Sequence, residues 1–175
     1  FRRVLFRSTE TETETETETE TETETETESK TATAAEADET VAYEAEDGSF
    51  TITLPNDTWN DKTEGGKVTF TSEDNSLTVE DLDVKEAEKQ MNLYPETAEE
   101  FEKKTGWDVV KYQNESMGSW EFVSVCWKEK ANSDYSMVYY LRNEDTAYVL
   151  NGIAADEDTA EAVYTAALSF KNIEK

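Results

Sequence analysis

The stretch WEFVSVCWK at residues 120–128 carries apolar side chains at both even and odd positions. Residues 135–141 (YSMVYYL) and 147–154 (AYVLNGIA) show the same pattern. Successive side chains of a β-strand point to opposite faces of the sheet, so strands of this kind are apolar on both faces. Such strands must be covered on both sides. The sequence therefore predicts three central strands with packing layers above and below them.

The segment before these strands predicts a part of the sheet that has one face in water. Residues 49–54 (SFTITL) and 67–71 (KVTFT) alternate strictly between polar and apolar residues, and residues 77–79 (LTV) start a third alternating strand. Turn-forming residues at 64–66 and 73–76 separate these strands. Alternation of this kind is typical of antiparallel strands with one solvated face. We therefore expect the three strands to form a meander.

Three helices are predicted to supply the covering layers. Residues 85–92 are helix formers, and TAEE at residues 97–100 has the capping-box pattern that starts a helix over about residues 98–104, before Gly106. Acidic residues 156–158 precede a C-terminal amphipathic stripe, after which Phe170 and Ile173 are expected to pack under the sheet edge. The stripe consists of Ala160, Val163, Tyr164, Ala167 and Leu168.

Together these elements predict an α+β fold, a three-layer α/β/α sandwich around a mostly antiparallel sheet of about six to seven strands. The C-terminal helix is expected on one face of the sheet and the mid-domain helices on the other.

The first 40 residues differ in composition from the rest. Residues 1–8 (FRRVLFRS) resemble the translation of a common sequencing-adapter oligonucleotide, so we expect them to be foreign to the natural protein and the natural N-terminus to be lost. Residues 9–28 are ten Thr-Glu pairs, and residues 29–40 continue with small and acidic residues. Since residues 9–40 contain no apolar side chain larger than that of Ala, too little can be buried to offset the entropy of ordering, and they are expected to be a disordered spacer. Residues 41–175 are then expected to form a single globular domain.

Charge and composition exclude several classes of function. The chain of 175 residues has no His, one Cys and a net charge of −26, and residues 40–175 hold 29 acidic against 12 basic side chains. Without His there is no His-dependent catalytic triad and no His-ligated zinc, and one Cys cannot form an intramolecular disulfide or a thiolate metal cage. An acidic surface disfavours nucleic acid and anionic lipid. We expect no nucleic-acid partner, no cofactor, and a membrane association only through a lipid anchor in the lost N-terminal part.

One family resemblance is carried by structural features. A strand opening with residues 48–55 (GSFTITLP), a mid-domain helix, three long strands and a closing helix ending in residues 168–171 (LSFK) resemble the PsbP-like α/β/α sandwich family. The similarity covers roughly residues 43–173. The family includes a photosystem II extrinsic protein, a Ran-binding nuclear transport factor and small bacterial lipoproteins. The resemblance implies the sandwich fold and a protein-binding role, and it carries no catalytic signature to transfer.

Carboxylate pairs are the candidates for chemistry without His. The densest are EDLD at residues 80–83 and DED at residues 156–158, and carboxyl pairs can hydrolyse glycosides, but solvation and helix capping also explain these clusters. The EF-hand calcium pattern is absent, so no metal site is predicted. Cys126 lies mid-strand without a His to act as base, which predicts a buried, inert thiol. No catalytic residue is predicted.

Three aromatic residues form the predicted partner-binding surface. Trp59 and Trp107 lie at the ends of predicted elements, and Tyr94 precedes Pro95 between two predicted helices. Aromatic side chains that present one wet end are common in binding surfaces, but Trp59 and Trp107 also fit the role of buried loop anchors, whereas Trp120 and Trp127 are assigned to the core. Because an acidic domain attracts cations, we expect a basic or cation-bearing protein partner, bound by a monomeric domain.

These observations lead to one function hypothesis and two alternatives. A polar Thr-Glu spacer before a compact domain is typical of surface-tethered bacterial lipoproteins, so the protein is expected to be a non-catalytic, extracytoplasmic, membrane-anchored domain that binds or scaffolds a protein partner. The first alternative is a carboxylate-based hydrolase at the cell surface. The second is a cytosolic acidic protein that binds a basic partner. The codons upstream of residue 1 would separate the tethered from the cytosolic reading.

Overall fold

The computed structural model describes residues 40–131 and 133–173, which belong to one compact unit. The expectations for residues 1–8 and for the spacer lie outside these residues, apart from Thr40. The strands are β1 (Val41–Glu44), β2 (Phe50–Leu54), β3 (Asn60–Glu64), β4 (Lys67–Ser72), β5 (Asn75–Leu82), β6 (Asp108–Met117), β7 (Trp120–Lys128), β8 (Tyr135–Arg142), β9 (Ala147–Ala154) and β10 (Lys171–Asn172). The helices are α1 (Val84–Met91), α2 (Ala98–Thr105) and α3 (Glu157–Leu168). Among the described helices, not one has the length and apolarity that a membrane crossing requires.

The fold is mixed α and β, with an antiparallel sheet of seven strands in the order β3-β4-β5-β9-β8-β7-β6. A smaller sheet has the order β1-β2-β10. The predicted meander is therefore wrong in one strand, because β2 leaves the main sheet and pairs with β1 and β10. Its place beside β4 is taken by β3, whose five residues, NDKTE, are all exposed. With no apolar residue in β3, hydrophobic alternation could not reveal it.

The three strands that are apolar on both faces lie inside the seven-stranded sheet, as predicted. β9 pairs with β5 and β8, and β8 pairs with β7. Alternate residues of β8 belong to two separate buried clusters, with Met137 and Leu141 in the larger and Val138 in the smaller. Since neighbouring residues of a strand point to opposite faces, the two clusters lie on opposite faces of the sheet.

The three predicted helices are confirmed, and each begins at a side-chain cap. Asp83, Thr97 and Asp156 accept hydrogen bonds from backbone N–H groups in the first turns of α1, α2 and α3. α2 ends at Gly106, whose φ of 72° is the left-handed conformation that glycine adopts without penalty. α3 contacts β9, β8, β5 and β2, whereas α1 contacts β8 and β9, and α2 contacts β6.

α3 lies very close to the sheet at one point. A Cβ atom built on Gly152 of β9 would be 2.8 Å from Cγ1 of Val163 and 3.3 Å from Cε of Met137. Real Cβ atoms do not come this near, so glycine at residue 152 allows α3 to approach β9 directly. Beyond α3, Phe170 is buried in the larger cluster as expected, but Ile173 remains 36% exposed, so its predicted burial under the sheet edge is incomplete.

Candidate functional site

The structure divides the three predicted partner-binding residues between two faces of the sheet. Tyr94 packs against the smaller cluster, and Trp107 stacks on Trp127, which packs there too. Trp59 packs, half-buried, against the larger cluster on the opposite face. Only Tyr94 and Trp107 can therefore contribute to one surface, and they reach it through a shared neighbour, Phe101.

Around Phe101 lies a set of rings that we call the aromatic cluster. Trp107 stacks on Trp127 with ring centroids 4.6 Å apart and ring planes inclined by 12°. The edge-to-face contact of Trp107 with Phe101 spans 5.8 Å, and Tyr94 stacks on Phe101 at 5.5 Å. Phe101 is buried, whereas Trp107 is 40% exposed. The members are Tyr94, Phe101, Trp107, Tyr112, Trp127 and Tyr140.

Hydrogen bonds to the backbone and to a neighbouring hydroxyl hold two parts of the cluster in place. Gly106 ends α2 and turns the chain away from the helix axis, which places Trp107 beside the last helical turn. The backbone N–H of Trp107 donates to Oγ1 of Thr105 at 3.2 Å. Tyr112 donates its hydroxyl proton to the Pro95 carbonyl, which fixes the α1–α2 connection that carries Tyr94. Burial, followed by the neighbouring Tyr140, raises the pKa of Tyr94 well above its ordinary value, so this phenol stays neutral. Trp107 is thus partly exposed to solvent while its ring packs against Phe101 and Trp127.

An open groove of about 610 Å³ runs beside Trp107. Trp107 and Trp127 line it together with Glu129 and Lys130. The Glu129 carboxylate accepts a hydrogen bond of 2.6 Å from the Ser136 hydroxyl, which orients it. The indole face and the fixed carboxylate attract a cationic side chain, whereas Lys130 repels one, so such a side chain fits on the Glu129 side of the groove.

The two acidic runs singled out in the sequence place their carboxylates in different surroundings. Asp81, from the EDLD run, lines a cavity of about 210 Å³ together with Asp47 and Tyr148. Partial burial, and then the negative charge of Asp47, raise the pKa of Asp81 above its ordinary value. Asp156, from the DED run, caps α3, and its hydrogen bonds to Thr159 lower its pKa. The capping interpretation is confirmed for Asp156 of DED and for Asp83 of EDLD, which caps α1, whereas Asp81 belongs to a small acidic cavity that residue spacing alone did not indicate.

A further groove of about 430 Å³ lies on the α3 face and was missed at the sequence level. Met117, Trp120, Phe122 and Leu168 contribute to its wall, and Lys171 is the cation that lines it. Met117 is 72% exposed. The predicted core positions of Trp120 and Trp127 are corrected by the structure, because both are only half-buried near the two ends of β7. Phe122, beside Trp120, is half-buried as well. The signal that the sequence offers is an apolar residue, Met117, directly before the turn residue Gly118.

The thiol and the acidic side chains provide no evident metal or nucleophile site. Cys126 is buried, and burial raises the pKa of its thiol to about 11, so it is protonated at neutral pH. Within residues 40–131 and 133–173, His, Cys, Asp and Glu side chains form no group of three or more that could hold a metal ion.

Comparisons with known proteins place no family name on the chain. No protein-family model matches it. No curated protein matches it significantly. A crystal structure from Bacteroides thetaiotaomicron VPI-5482 is similar with a TM-score of 0.48 and 12% sequence identity, over 77% of this chain and 48% of that one. The chain thus spans about half the length of that protein.

Proposed function

We propose that residues 41–175 form a non-catalytic binding domain that recognises a basic protein partner through the aromatic cluster, with Trp107 as the contact residue. The observation that carries this proposal is the exposed Trp107 stacked on Trp127. Supported from behind, an indole loses little conformational entropy when it binds, and it can stack on a Lys or Arg side chain.

Charge supports a basic partner. Residues 40–175 hold 29 acidic and 12 basic side chains, so the domain attracts cations over a distance and repels anions. Glu129 beside Trp107 offers a carboxylate at the point of contact. A cation–π contact of this kind contributes about 0.5–2 kcal/mol, with the larger values for desolvated pairs.

We further propose the three-layer α/β/α arrangement and the PsbP-like relationship as the framework of this domain. The two apolar clusters on opposite faces of the sheet support it, since α3 contributes Val163 to one cluster and α2 contributes Phe101 to the other. In this arrangement helices cover the centre of both sheet faces, and partner recognition falls to residues beside the covered area, such as Trp107.

The test compares a short poly-lysine peptide with a poly-glutamate peptide of equal length in calorimetric titrations of the full chain at low and high salt. Poly-lysine is expected to bind and poly-glutamate is not. Trp107→Leu is expected to weaken poly-lysine binding several-fold, by loss of the cation–π contact. The matched control is Ile153→Ala, which removes an apolar side chain that is 48% exposed elsewhere. Equal poly-lysine affinities for wild type and Trp107→Leu would refute the role of Trp107.

A surface hydrolase is the second candidate, and the Asp47–Asp81 cavity is the observation that favours it. One carboxyl with a raised pKa beside an ionised one is the arrangement that separates an acid from a base. Asp81 is only partly shielded and Asp47 is exposed, so water screens the interaction between their charges and weakens the pKa separation. Hydrolysis of a panel of aryl glycosides that disappears in Asp81→Asn and in Asp47→Asn would establish this activity, and an inactive wild type would remove it.

For location, we propose an extracytoplasmic, lipid-anchored protein rather than a cytosolic one. The ten Thr-Glu pairs preceding the domain support this, since such a polar run suits a spacer between a membrane and a folded domain. Sequencing the natural gene upstream of residue 1 provides the test. An apolar segment followed by small residues and a Cys is expected, and a plain Met start would favour the cytosolic alternative.

A further inference from the structure

β6 is an open edge of the seven-stranded sheet. It pairs with β7 on one side, and in the described residues no strand pairs with its other side. The strand is ten residues long, and seven of them are exposed. An edge strand of this length presents a row of backbone N–H and C=O groups that another strand can pair with.

The backbone irregularity that hinders such pairing lies at one end of β6. A bulge lies between Val109 and Lys111, but from Lys111 to Met117 the pairing with β7 is uninterrupted. This regular segment contains no proline. Exposed apolar side chains stand at both of its ends, Val110 at 37% and Met117 at 72% exposure. The segment is therefore competent to pair, and it offers apolar surface to whatever pairs with it.

Charges on the segment are arranged for antiparallel pairing with itself. Lys111, Gln113 and Glu115 lie opposite Cys126, Ser124 and Phe122 of β7, which places all three on the α3 face. If two copies pair antiparallel about a two-fold axis at Gln113, Lys111 of each copy lies opposite Glu115 of the other. The pair of strands therefore contains two Lys111–Glu115 contacts. Directly opposite side chains of antiparallel strands have Cβ atoms about 4.5–5.5 Å apart, within reach of an ion pair.

Neighbouring registers lack this complementarity. An axis through Tyr112 pairs Lys111 with Gln113, and an axis through Asn114 pairs Lys111 with Met117. Glu115 has no ion-pair partner within the described part of the chain, and Lys111 is bonded only to Glu161, at 3.2 Å, with 43% of its side chain exposed.

The opposite edge of the sheet does not offer the same opportunity. β3 also carries a Lys and a Glu two residues apart, Lys62 and Glu64, but these form an ion pair with each other at 2.7 Å. β3 has only five residues and turns at Gly65 directly after Glu64. Self-pairing about Thr63 would therefore join three residues of each copy.

We propose that two copies of this chain associate through β6, in an antiparallel pair centred on Gln113 and closed by two Lys111–Glu115 ion pairs. This continues the seven-stranded sheet into a second copy and replaces the monomer expected from the sequence. It also brings the two α3-face grooves, to which Gln113 and Met117 contribute, next to the two-fold axis. The acidic domains repel each other at long range, so the association requires physiological salt.

Sedimentation velocity of the full chain at physiological salt tests the association. The wild type is expected to dimerise, and Glu115→Lys is expected to raise the dimer dissociation constant by about tenfold or more, because two attractions become two repulsions. The double exchange K111E/E115K restores the opposite charges and is expected to return the constant to within about threefold of wild type. K62E/E64K, the same exchange on β3, is the matched control and should leave it unchanged.

Register is tested separately by a disulfide. Gln113→Cys places two thiols at the axis and is expected to give a covalent dimer on mild oxidation, whereas Ser116→Cys places them far apart and is not. The native Cys126 is buried and does not compete. A wild type that stays monomeric at high protein concentration, a folded E115K variant with unchanged dissociation constant, or equal cross-linking of both Cys variants would overturn the proposal.

Discussion

The substitution Gly152→Ala is expected to disturb the packing of α3 against β9. The new Cβ would lie 2.8 Å from Cγ1 of Val163, which is itself buried at 1% exposure and cannot move into solvent. Overpacking of this kind costs about 1–3 kcal/mol, and the lower chain entropy of alanine in the unfolded state returns about 0.4–1 kcal/mol. Gly152→Ala should therefore lower the free energy of unfolding by about 1–2 kcal/mol.

A double-mutant cycle separates this clash from a general intolerance of substitution. Val163→Ala alone removes two buried methyl groups and should cost about 2 kcal/mol. In Gly152→Ala/Val163→Ala the clashing atom is absent and the new methyl group occupies part of the space left behind, so the double variant should be no less stable than Val163→Ala.

The cycle is measured by urea unfolding followed by tryptophan fluorescence, with Asn151→Ala as the exposed control on the same strand. A coupling energy of about 1–2 kcal/mol is expected. Additive effects of the two substitutions would refute the close approach of α3 to β9.

Three further predictions concern single groups. Thr97→Ala should lower the free energy of unfolding by about 1 kcal/mol, because Oγ1 of Thr97 caps the Glu100 N–H; Thr97→Ser should restore most of it, and equal loss in both variants would argue against the cap. Native Cys126 should resist iodoacetamide at mildly alkaline pH and react in urea, because its thiol pKa is about 11; rapid alkylation of the native chain would contradict its burial. The pKa of Asp81 is raised above 3.8 in the folded state, so folding favours the protonated form. The free energy of unfolding therefore falls as pH rises from the unfolded-state pKa of Asp81 through its folded-state pKa. Asp81→Asn should thus raise the urea midpoint at neutral pH and lose this advantage below the ordinary carboxyl pKa, whereas a lower midpoint at neutral pH would show that the carboxylate is stabilising.

Local patterns determined much of the fold. Both-face apolarity located β7, β8 and β9 in the sheet interior, and capping residues such as Thr97 and Gly106 located the helix ends. These features were readable because strand alternation and helix capping depend on residues within a few positions of each other. For the same reason Cys126 could be assigned to the interior as an unreactive thiol.

What only the tertiary structure decided depends on contacts between distant segments. Sequence periodicity identified β2 as a strand, but its pairing with β1 and β10 instead of β4 is a choice among partners that periodicity cannot rank. The separation of Trp59 from Tyr94 and Trp107 arose in the same way, since the face on which a loop residue lands follows from how the chain crosses the sheet. Side-chain chemistry and local periodicity therefore specified the individual strands and helices. The order in which the strands pair, which depends on the packing of the whole core, decided which residues lie on the same surface.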